Sequence, residues 1–557
     1  MFSRKAAFLV SAGLSLSVFS CADSSSPAPP ESFSSPKIIA ADGSELELPT
    51  AGIYPIDGEK VSRTGLEKVC KAAGVEVSPQ AADGIWFGEN IFGAGLASVV
   101  FFGRYASSLD EDQWAALASI AADPESSSAA LDPKKNSGIF SPHAHEASRI
   151  PESAYLDAMT DQIADDLALE RGISRNEAFR ILYSSGVTVE TPLRTDVQSA
   201  ADRVYSEKST FTDSYSESFP QSAFAALDYS GNVVAMTGGN NGDLAYNRAW
   251  RTLHPIGSSI KPLSVYAPAL IDGRIGFSTL VDDSPIPELS TDQEEWPRNY
   301  DRVYDGSITV TYALRQSKNT VPVKLVIEAG PQRSFDFLTE SLGFTTLEPA
   351  DVDVPNMALG YLSRGVSVAE LAAAYQVFGS GGAYTAPSFY TRVTDENGDV
   401  ILENKRQPRQ AMTGEDAWIM DRLLYYNISK DDGIASAARL SDGREVIGKT
   451  GTVDNGYGQD SDRLFVGGTA ELCAAVWIGY DQAGASIEGV EYKPPATVWR
   501  AIFEQIPWEK AAFDPDPDVV EAEFCTLSGG LACDRCPSTE TGYYKQGALP
   551  ESCPIHS

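Results

Sequence analysis

The sequence predicts an α/β fold, because it places three short polar motifs beside a mixture of helix-like and strand-like segments. Ser-Ser-Ile-Lys at residues 258–261 lies where a Gly-containing turn enters an apolar segment typical of a helix. Ser-Lys-Asn at residues 317–319 follows a second helix-like segment. Lys-Thr-Gly-Thr at residues 449–452 follows the apolar pair Val446 and Ile447, which favours a strand.

Each of these motifs is weak alone, because the chain repeats two of the three patterns elsewhere. A second S-x-x-K lies at residues 34–37 in a Ser/Pro-rich stretch, and S-x-N recurs at residues 174–176 and 230–232. Only Lys-Thr-Gly is unique. The ordered set of three motifs therefore carries the functional argument.

The first motif places a hydroxyl and an amine on one face of a helical turn, since they are three residues apart. A serine hydroxyl becomes a good nucleophile when a neighbouring base accepts its proton. A buried lysine can be that base, because desolvation lowers the pKa of its amine. We expect Ser258 to be the nucleophile and Lys261 its base. The alternative is a capping serine beside a solvated lysine.

The second motif would complete proton transfer and position a peptide. Ser317 is expected to relay a proton between Lys261 and a leaving group, and Asn319 offers an amide donor and acceptor to a peptide substrate. Lys318 is expected to point away from this site. The alternative is an ordinary polar loop.

The third motif suits the binding of a terminal carboxylate, through the Lys449 amine and the hydroxyls of Thr450 and Thr452. Gly451 would let a substrate backbone approach the strand closely. The backbone N–H groups of Ser258 and Thr452 are candidates for an oxyanion hole. The alternative is a hairpin edge with a surface lysine.

Residues 193–510 resemble the transpeptidase domain of class A, or bifunctional, penicillin-binding proteins. The three motifs carry this resemblance, and further segments extend it. Tyr-Asn-Arg-Ala at residues 246–249 precedes the first motif, and Trp-Pro-Arg-Asn-Tyr at residues 296–300 precedes the second. The other segments lie at residues 226–239, 304–306, 358–360, 370–375, 462–468 and 476–481.

The resemblance implies an antiparallel sheet flanked by helices, as in serine β-lactamases and transpeptidases, preceded by a small helical region. It implies acyl transfer on peptidoglycan stem peptides that end in D-Ala-D-Ala, and acylation by β-lactams. No metal or organic cofactor is implied. The residues expected to be catalytic are Ser258, Lys261 and Ser317, and those expected to bind substrate are Asn319, Lys449, Thr450, Gly451 and Thr452.

Other uses of the same site remain open. Water as the acceptor would make a D,D-carboxypeptidase or endopeptidase, and a site that never turns over would make a β-lactam-binding sensor or scaffold. A β-lactamase is less expected, because the class A enzymes use an added glutamate for deacylation and none can be placed here.

Composition excludes some classes of partner. The chain has 557 residues, 43% of them hydrophobic, which is enough for more than one core. Its net charge of −34 argues against nucleic-acid binding and against electrostatic attachment to anionic lipid.

The N-terminus is typical of a secretion signal over residues 1–20, in which basic residues precede a short apolar stretch. Residues 18–21 resemble a bacterial lipobox with Cys21 as the lipid-bearing residue, and cleavage after Ala22 is the alternative. Residues 21–55 are Ser/Pro-rich and predict a tether. We expect an exported protein on the periplasmic or cell-envelope face, anchored by lipid at Cys21.

Residues 56–192 predict a helical region, and segments within residues 85–135 resemble the back half of the class A glycosyltransferase domain. The front half, with its catalytic glutamate, cannot be recognised. The resemblance implies a degenerate region that does not polymerise glycan and acts as a spacer or docks a separate glycosyltransferase. Its helical face at residues 114–120 is expected to be packed. The alternative is an unrelated helical spacer.

Residues 511–557 form a Cys-containing tail that resembles the tail of some class A members. Disulfides are expected because an exported chain meets an oxidising compartment, with Cys536–Cys553 as the first pairing. Cys533 and Cys536 have the spacing that begins many zinc sites, but no second C-x-x-C follows, and His556 is the one nearby imidazole. No metal is therefore expected.

Overall fold

The computed structural model describes residues 36–46, 61–83, 85–87, 91, 93–102, 106–124, 153–212, 220–240, 247–291, 295–482, 484–489 and 492–556. The predicted signal segment and Cys21 lie outside these residues, as does Glu89 in the glycosyltransferase-like segment. The chain divides into two compact units, Met1–Thr191 with Tyr390–Asn404 and Pro192–Phe389 with Lys405–Ser557.

The strands are numbered in chain order. They are β1 Lys37–Ile39, β2 Glu45–Leu46, β3 Thr188–Glu190, β4 Gln221–Asp228, β5 Val233–Thr237, β6 Leu280–Asp283, β7 Gly306–Thr309, β8 Ala383–Tyr384, β9 Arg392–Thr394, β10 Val400–Glu403, β11 Arg409–Gln410, β12 Ile447–Asp454, β13 Asp460–Gly468, β14 Leu472–Gly479, β15 Val519–Cys525 and β16 Thr539–Lys545.

The α-helices are numbered in the same way. They are α1 Arg63–Ala72, α2 Pro79–Asp83, α3 Ala94–Phe102, α4 Glu111–Ala122, α5 Ala154–Arg171, α6 Arg175–Ser184, α7 Thr195–Ser206, α8 Ala267–Ile271, α9 Val310–Arg315, α10 Thr320–Ala329, α11 Pro331–Asp336, α12 Val354–Leu359, α13 Val368–Gly379, α14 Gly414–Ser429 and α15 Pro495–Phe503. Among the described helices, none has both the length and the hydropathy that crossing a membrane requires.

The first unit combines helices α1–α6 with a small sheet of strand order β10-β9-β3-β1-β2. Helix α4 begins at a capping box in which Asp110 and Gln113 exchange hydrogen bonds, which satisfies N–H groups at the helix start. Its apolar face is buried, and Trp114 packs on α1 so closely that a Cβ at Gly65 would lie 2.4 Å from the indole ring.

The second unit is built on an antiparallel sheet of order β12-β13-β14-β4-β5. Helices α7 and α15 cover one face with apolar side chains, and Trp499 stacks on Phe503 at 3.8 Å between ring centroids. Helix α13 packs against β4 and β14, and α14 packs against β12. The predicted α/β fold, an antiparallel sheet flanked by helices, is confirmed.

The expected disulfides are not formed, and the predicted pairing of Cys536 with Cys553 is wrong. The four cysteines of the tail, Cys525, Cys533, Cys536 and Cys553, carry free thiols. A disulfide holds its two sulfurs about 2.05 Å apart. Cys553 Sγ instead faces the imidazole of His556, 3.2 Å from Nδ1, and the sulfurs of Cys533 and Cys536 are 3.7 Å apart.

Candidate active site

The first motif lies on a tight turn rather than on a regular α-helix start. Gly257–Ile260 forms a 3-10 turn, Pro262–Tyr266 continues it as a π turn, and α8 follows. Ser258 is half-buried on this turn. The neighbouring Ser259 is fully buried, and its hydroxyl donates to the Ile256 carbonyl at 2.6 Å. Of the two serines, Ser258 is therefore the one available to a ligand.

Backbone contact brings the nucleophile turn against the Lys-Thr-Gly-Thr strand. Gly257 has φ +51°, and a Cβ placed on it would lie 2.2 Å from the Thr452 carbonyl oxygen. A Cβ on Gly451 would lie 2.4 Å from the Ile256 carbonyl oxygen. Both positions therefore require glycine, because the Cβ of any other residue would overlap a backbone carbonyl oxygen. The sequence motif predicts Gly451 for substrate approach, whereas the structure shows that it also admits the turn.

Lys261 is fully buried, which agrees with a buried amine and not with the alternative of a solvated lysine. Its Nζ donates to the carbonyl oxygens of Ser317 and Lys318 at 2.8 and 3.0 Å and to Asn319 Oδ1 at 2.6 Å. Burial lowers the pKa of this amine well below its ordinary value, and the nearby Lys449 charge lowers it further. A lowered pKa favours the neutral amine, which is the form that can accept a proton.

Lys449 is also fully buried, although it lies on the edge strand β12. Its Nζ donates to Ser317 Oγ at 2.8 Å and to the Thr450 carbonyl at 3.0 Å. Burial lowers the pKa of Lys449 to about 7. Because Lys261 Nζ lies 3.4 Å from the same oxygen, the Ser317 hydroxyl is placed between two amines. This arrangement is well suited to moving a proton.

Asn319 is engaged by the protein more fully than the sequence predicts. Its Oδ1 accepts from Lys261, and its Nδ2 donates to the Arg298 carbonyl at 2.7 Å. Its backbone N–H donates to Asn299 Oδ1 at 2.7 Å. The side chain therefore fixes the lysine amine in addition to any contact with a peptide.

Lys318 points away from Lys261, as predicted, into a cluster of carboxylates. Its Nζ lies 2.7, 3.0 and 3.3 Å from oxygens of Asp305, Asp301 and Asp283. Burial alone would lower the pKa of Lys318, but these carboxylates outweigh it and the pKa is raised. The cluster holds the Ser317 loop in place, and sequence reasoning missed its acidic members. Asp305 lies in the segment 304–306 that carried the family resemblance, and Asp301 directly follows the segment 296–300.

A buried histidine, His254, lies just before the nucleophile turn in the sequence. His254 stacks on Trp477 at 3.9 Å between ring centroids, and its Nδ1 lies 3.5 Å from Asp462 Oδ1. Trp477 Nε1 donates to the same carboxylate oxygen at 2.8 Å. Sequence reasoning gave none of these residues a role, although Asp462 and Trp477 lie in segments that carried the family resemblance.

Thr450 and Thr452 are half-buried on β12, between the buried Lys449, Gly451 and Val453. They pair with Phe465 and Arg463 of β13 on one side. Since β12 is at the edge of its sheet, an extended peptide can approach the strand from its other side.

The chain is similar to proteins of a known family. The chain matches the family model described as Penicillin binding protein transpeptidase domain over residues 222–483. Penicillin-binding protein 1A of Clostridium tetani is 30% identical over 71% of this chain and 53% of that protein. Penicillin-binding protein 1F of Bacillus subtilis is 28% identical over 72% of this chain and 57% of that protein. The chain spans about half the length of these curated relatives.

Solved structures share the fold. Penicillin-binding protein 1A from Haemophilus influenzae has a TM-score of 0.60 at 17% identity, covering 94% of this chain and 100% of that chain. The PonA1 protein from Mycobacterium tuberculosis, in complex with penicillin V, has a TM-score of 0.52 at 22% identity. The match covers 65% of this chain and 99% of that chain. Residues 222–483 form a domain of the penicillin-binding protein transpeptidase family, and the chain is homologous to class A members, which confirms the resemblance seen in the sequence.

The close contact at Gly257 predicts that a larger residue there destabilises the fold. Gly257→Ala is expected to lower the free energy of unfolding by about 1–3 kcal/mol, because alanine is strained at positive φ and its Cβ would overlap the Thr452 carbonyl. Reaction with penicillin should slow as well, because the turn and the strand must separate. Thermal unfolding and labelling rates measure both effects.

Gly273 offers a matched control for this variant. It follows α8 with φ +68°, and a Cβ there would meet nothing within 4 Å. Gly273→Ala should therefore show the cost of positive φ without the clash and should leave labelling unchanged. Equal labelling rates in the two variants would contradict the contact between turn and strand.

Proposed function

We propose that this chain is a peptidoglycan D,D-transpeptidase that crosslinks stem peptides through an acyl-enzyme on Ser258. The observation that carries the proposal is the convergence of two fully buried amines, Lys261 and Lys449, on the Ser317 hydroxyl beside the nucleophile turn. Burial of a lysine amine is costly unless the amine is hydrogen-bonded or paired, and shifted pKa values cluster at functional sites.

In acylation, Ser258 Oγ attacks the carbonyl carbon of the penultimate D-Ala, and its proton passes to the neutral Lys261 amine. The oxyanion of the tetrahedral intermediate accepts hydrogen bonds from the backbone N–H groups of Ser258 and Thr452. The C–N bond then breaks. Ser317 passes the proton from Lys261 to the leaving nitrogen, and D-Ala departs as the amine.

In transfer, the amine of a neighbouring stem peptide attacks the ester carbonyl. A new amide bond forms as the ester bond breaks, and Ser258 Oγ regains a proton as the incoming nitrogen loses one. Lys261 and Ser317 carry these protons in the reverse direction. The enzyme is thereby restored without a cofactor.

The donor peptide would be held by the third motif. Lys449, when protonated, and the hydroxyls of Thr450 and Thr452 would bind its terminal carboxylate. Its backbone would lie along the open side of β12, as an added strand does. A β-lactam presents a carboxylate and an amide carbonyl, so it would occupy the same site and acylate Ser258.

A purified chain given a stem pentapeptide and an amine acceptor is expected to form the crosslinked amide and release D-Ala. Without the acceptor, release of D-Ala should be much slower, because water is then the only nucleophile. Mass spectrometry of the products measures both reactions. Ser258→Ala is the control and should form neither product.

The acceptor experiment also separates the other uses of the site. Equal D-Ala release with and without the amine, and no crosslinked product, would indicate a carboxypeptidase. A stable acyl-enzyme with no product in either arm would indicate a sensor or scaffold.

The substrate places the proposed activity outside the cytoplasmic membrane. We propose export to the periplasmic or cell-envelope face and attachment through lipid at Cys21, which rests on the N-terminal sequence pattern. The tether over residues 21–55 would then let the enzyme reach a polymer above the membrane.

Residues 56–192 are proposed not to polymerise lipid II. The purified chain, given labelled lipid II and a divalent metal, should yield no glycan strands while Ser258 still reacts with penicillin. The reason is that sugar transfer needs a positioned carboxyl group, and the segment with the family's catalytic glutamate is not recognisable in the sequence.

Polymer formed by this chain alone would contradict a degenerate glycosyltransferase region. Glu89→Gln is the matching variant, because Glu89 is the acidic residue within the best-matching Gly-rich stretch. Loss of that polymer in Glu89→Gln would identify it as a working carboxyl group.

A further inference from the structure

The C-terminal tail brings four metal-binding side chains together. Cys525 ends strand β15, Cys536 precedes β16, and Cys553 and His556 belong to the terminal segment. One ligand atom from each lies within 4.8 Å of every other. They are separated by up to 31 residues in sequence, so the tail's own fold must assemble them.

Two separations within this group are close to those of a tetrahedral site. His556 Nδ1 lies 3.2 Å from Cys553 Sγ and 3.5 Å from Cys525 Sγ. In a tetrahedral zinc site with Zn–S bonds of about 2.3 Å and Zn–N bonds of about 2.0–2.1 Å, ligand atoms are separated by about 3.6–3.8 Å. The two observed S–N distances are close to these values.

The sulfur atoms are also surrounded as ligating thiolates usually are. The backbone N–H of Cys533 donates to Cys536 Sγ at 3.3 Å. The Ser528 hydroxyl donates to Cys553 Sγ at 3.2 Å. Hydrogen bonds of this kind orient metal ligands and stabilise their charge.

Cys533 has a different environment, although it shares the C-x-x-C motif with Cys536. Its thiol donates to the His556 carbonyl oxygen at 3.4 Å, and it does not belong to the group of four. The sequence motif alone therefore indicates the wrong partner for Cys536.

We propose that Cys525, Cys536, Cys553 and His556 form a structural Zn²⁺ site. Three thiolates and one imidazole are a ligand set that zinc occupies in structural sites. Each ligating thiol transfers its proton to solvent as the metal binds, so zinc affinity falls at acidic pH. The site is independent of the proposed acylation chemistry.

The location of the site gives it a mechanical role. The β15–β16 hairpin packs on elements that support the second motif, since Glu540 pairs with Arg315 at 3.1 Å and the Tyr426 hydroxyl donates to the Thr541 carbonyl at 2.7 Å. Arg315 ends helix α9, two residues before Ser317. A metal that fastens the terminal segment to this hairpin would stabilise the scaffold beneath the Ser317 loop.

The test uses the full chain, reduced, freed of metal by a chelator and then dialysed against Zn²⁺. Elemental analysis is expected to find one zinc per chain, and zinc should raise the unfolding temperature. Substitution with Co²⁺ should give thiolate charge-transfer bands and the ligand-field bands of a tetrahedral ion. Cys536→Ser and His556→Ala should each lose stoichiometric zinc.

Cys533→Ser is the matched control and should keep one zinc, because Cys533 shares the motif and the neighbourhood but not the ligand group. His556 is only partly buried, so His556→Ala should fold even if a cysteine variant does not. Circular dichroism verifies folding, and none of these readouts depends on Ser258.

Three results would overturn the proposal. They are much less than one zinc in folded, reduced wild-type chain; full zinc retention in both Cys536→Ser and His556→Ala; or a disulfide between two of the three cysteine ligands in protein isolated from the cell envelope. Loss of zinc in Cys533→Ser, with retention in Cys536→Ser, would overturn the assigned ligands.

Discussion

Ser258→Ala is expected to abolish covalent labelling by a fluorescent penicillin. The hydroxyl is the proposed nucleophile, and no acyl bond can form without it. Stability should change little, by about 0.5 kcal/mol or less, because Ser258 is half-buried and alanine fits the turn. Gel fluorescence measures labelling, and a thermal melt measures stability.

Ser259→Ala is the matched control, since Ser259 is the adjacent residue of the same type. It should still label, but it should be less stable than wild type, because its buried hydroxyl donates to the Ile256 carbonyl. Persistent labelling of Ser258→Ala, with Ser259 or Ser317 modified instead, would show that the nucleophile has been assigned wrongly.

Substitutions of the two buried lysines are expected to affect different steps of the reaction with penicillin. Lys261→Ala should slow acylation at saturating ligand by about 10²- to 10⁴-fold, because it removes the base that accepts the Ser258 proton. Lys449→Ala should mainly weaken capture of penicillin, by about ten- to a hundredfold, because it removes a charge-assisted contact with the carboxylate. Stopped-flow acylation against ligand concentration separates the two effects.

Lys324→Ala is the control for these variants, since Lys324 is a partly exposed lysine on α10, paired with Asp282. It should acylate like wild type. Equal and modest effects of Lys261→Ala and Lys449→Ala on both capture and acylation would contradict their separate roles.

The pH dependence of the second-order acylation rate tests the roles of Lys261 and Lys449 independently. On the acid side the rate should fall as Lys261 gains a proton and ceases to be a base. On the alkaline side it should fall above about pH 7, where the free enzyme's Lys449 loses the charge that attracts the carboxylate. Lys449→Ala should lose the alkaline limb and keep the acid limb.

Much of the site was predictable because its determinants are local. The three-residue spacing of Ser258 and Lys261 places them on one turn, and the apolar residues before Lys449 predict its strand. The order of the three motifs along the chain was enough to indicate the family. Fold class followed from that resemblance.

The remainder depends on contacts between distant segments. Nothing near Lys318 in the sequence shows that Asp283, 35 residues earlier, would share its buried pocket. The close contact of the turn at Gly257 with Gly451 and Thr452 likewise joins segments that are far apart in the chain. Long-range contacts of this kind are set by tertiary packing, which local patterns do not encode.

The cysteines show the same limit in a different way. Redox compartment and composition favoured disulfides, but those arguments concern the chain's surroundings and not its geometry. Cys525 and Cys553 carry no C-x-x-C signal, and only the β15–β16 hairpin brings them to Cys536 and His556. A tail of this type can be interpreted only once its fold is known.

The central claim is that this chain acylates itself on Ser258. The most direct measurement is to label the wild-type chain with penicillin, digest it and locate the added mass by tandem mass spectrometry. One penicilloyl group per chain, on the peptide that contains residues 258–261 and assigned to Ser258, is the predicted result. A modification at any other residue, or no covalent adduct on folded protein, would contradict the claim.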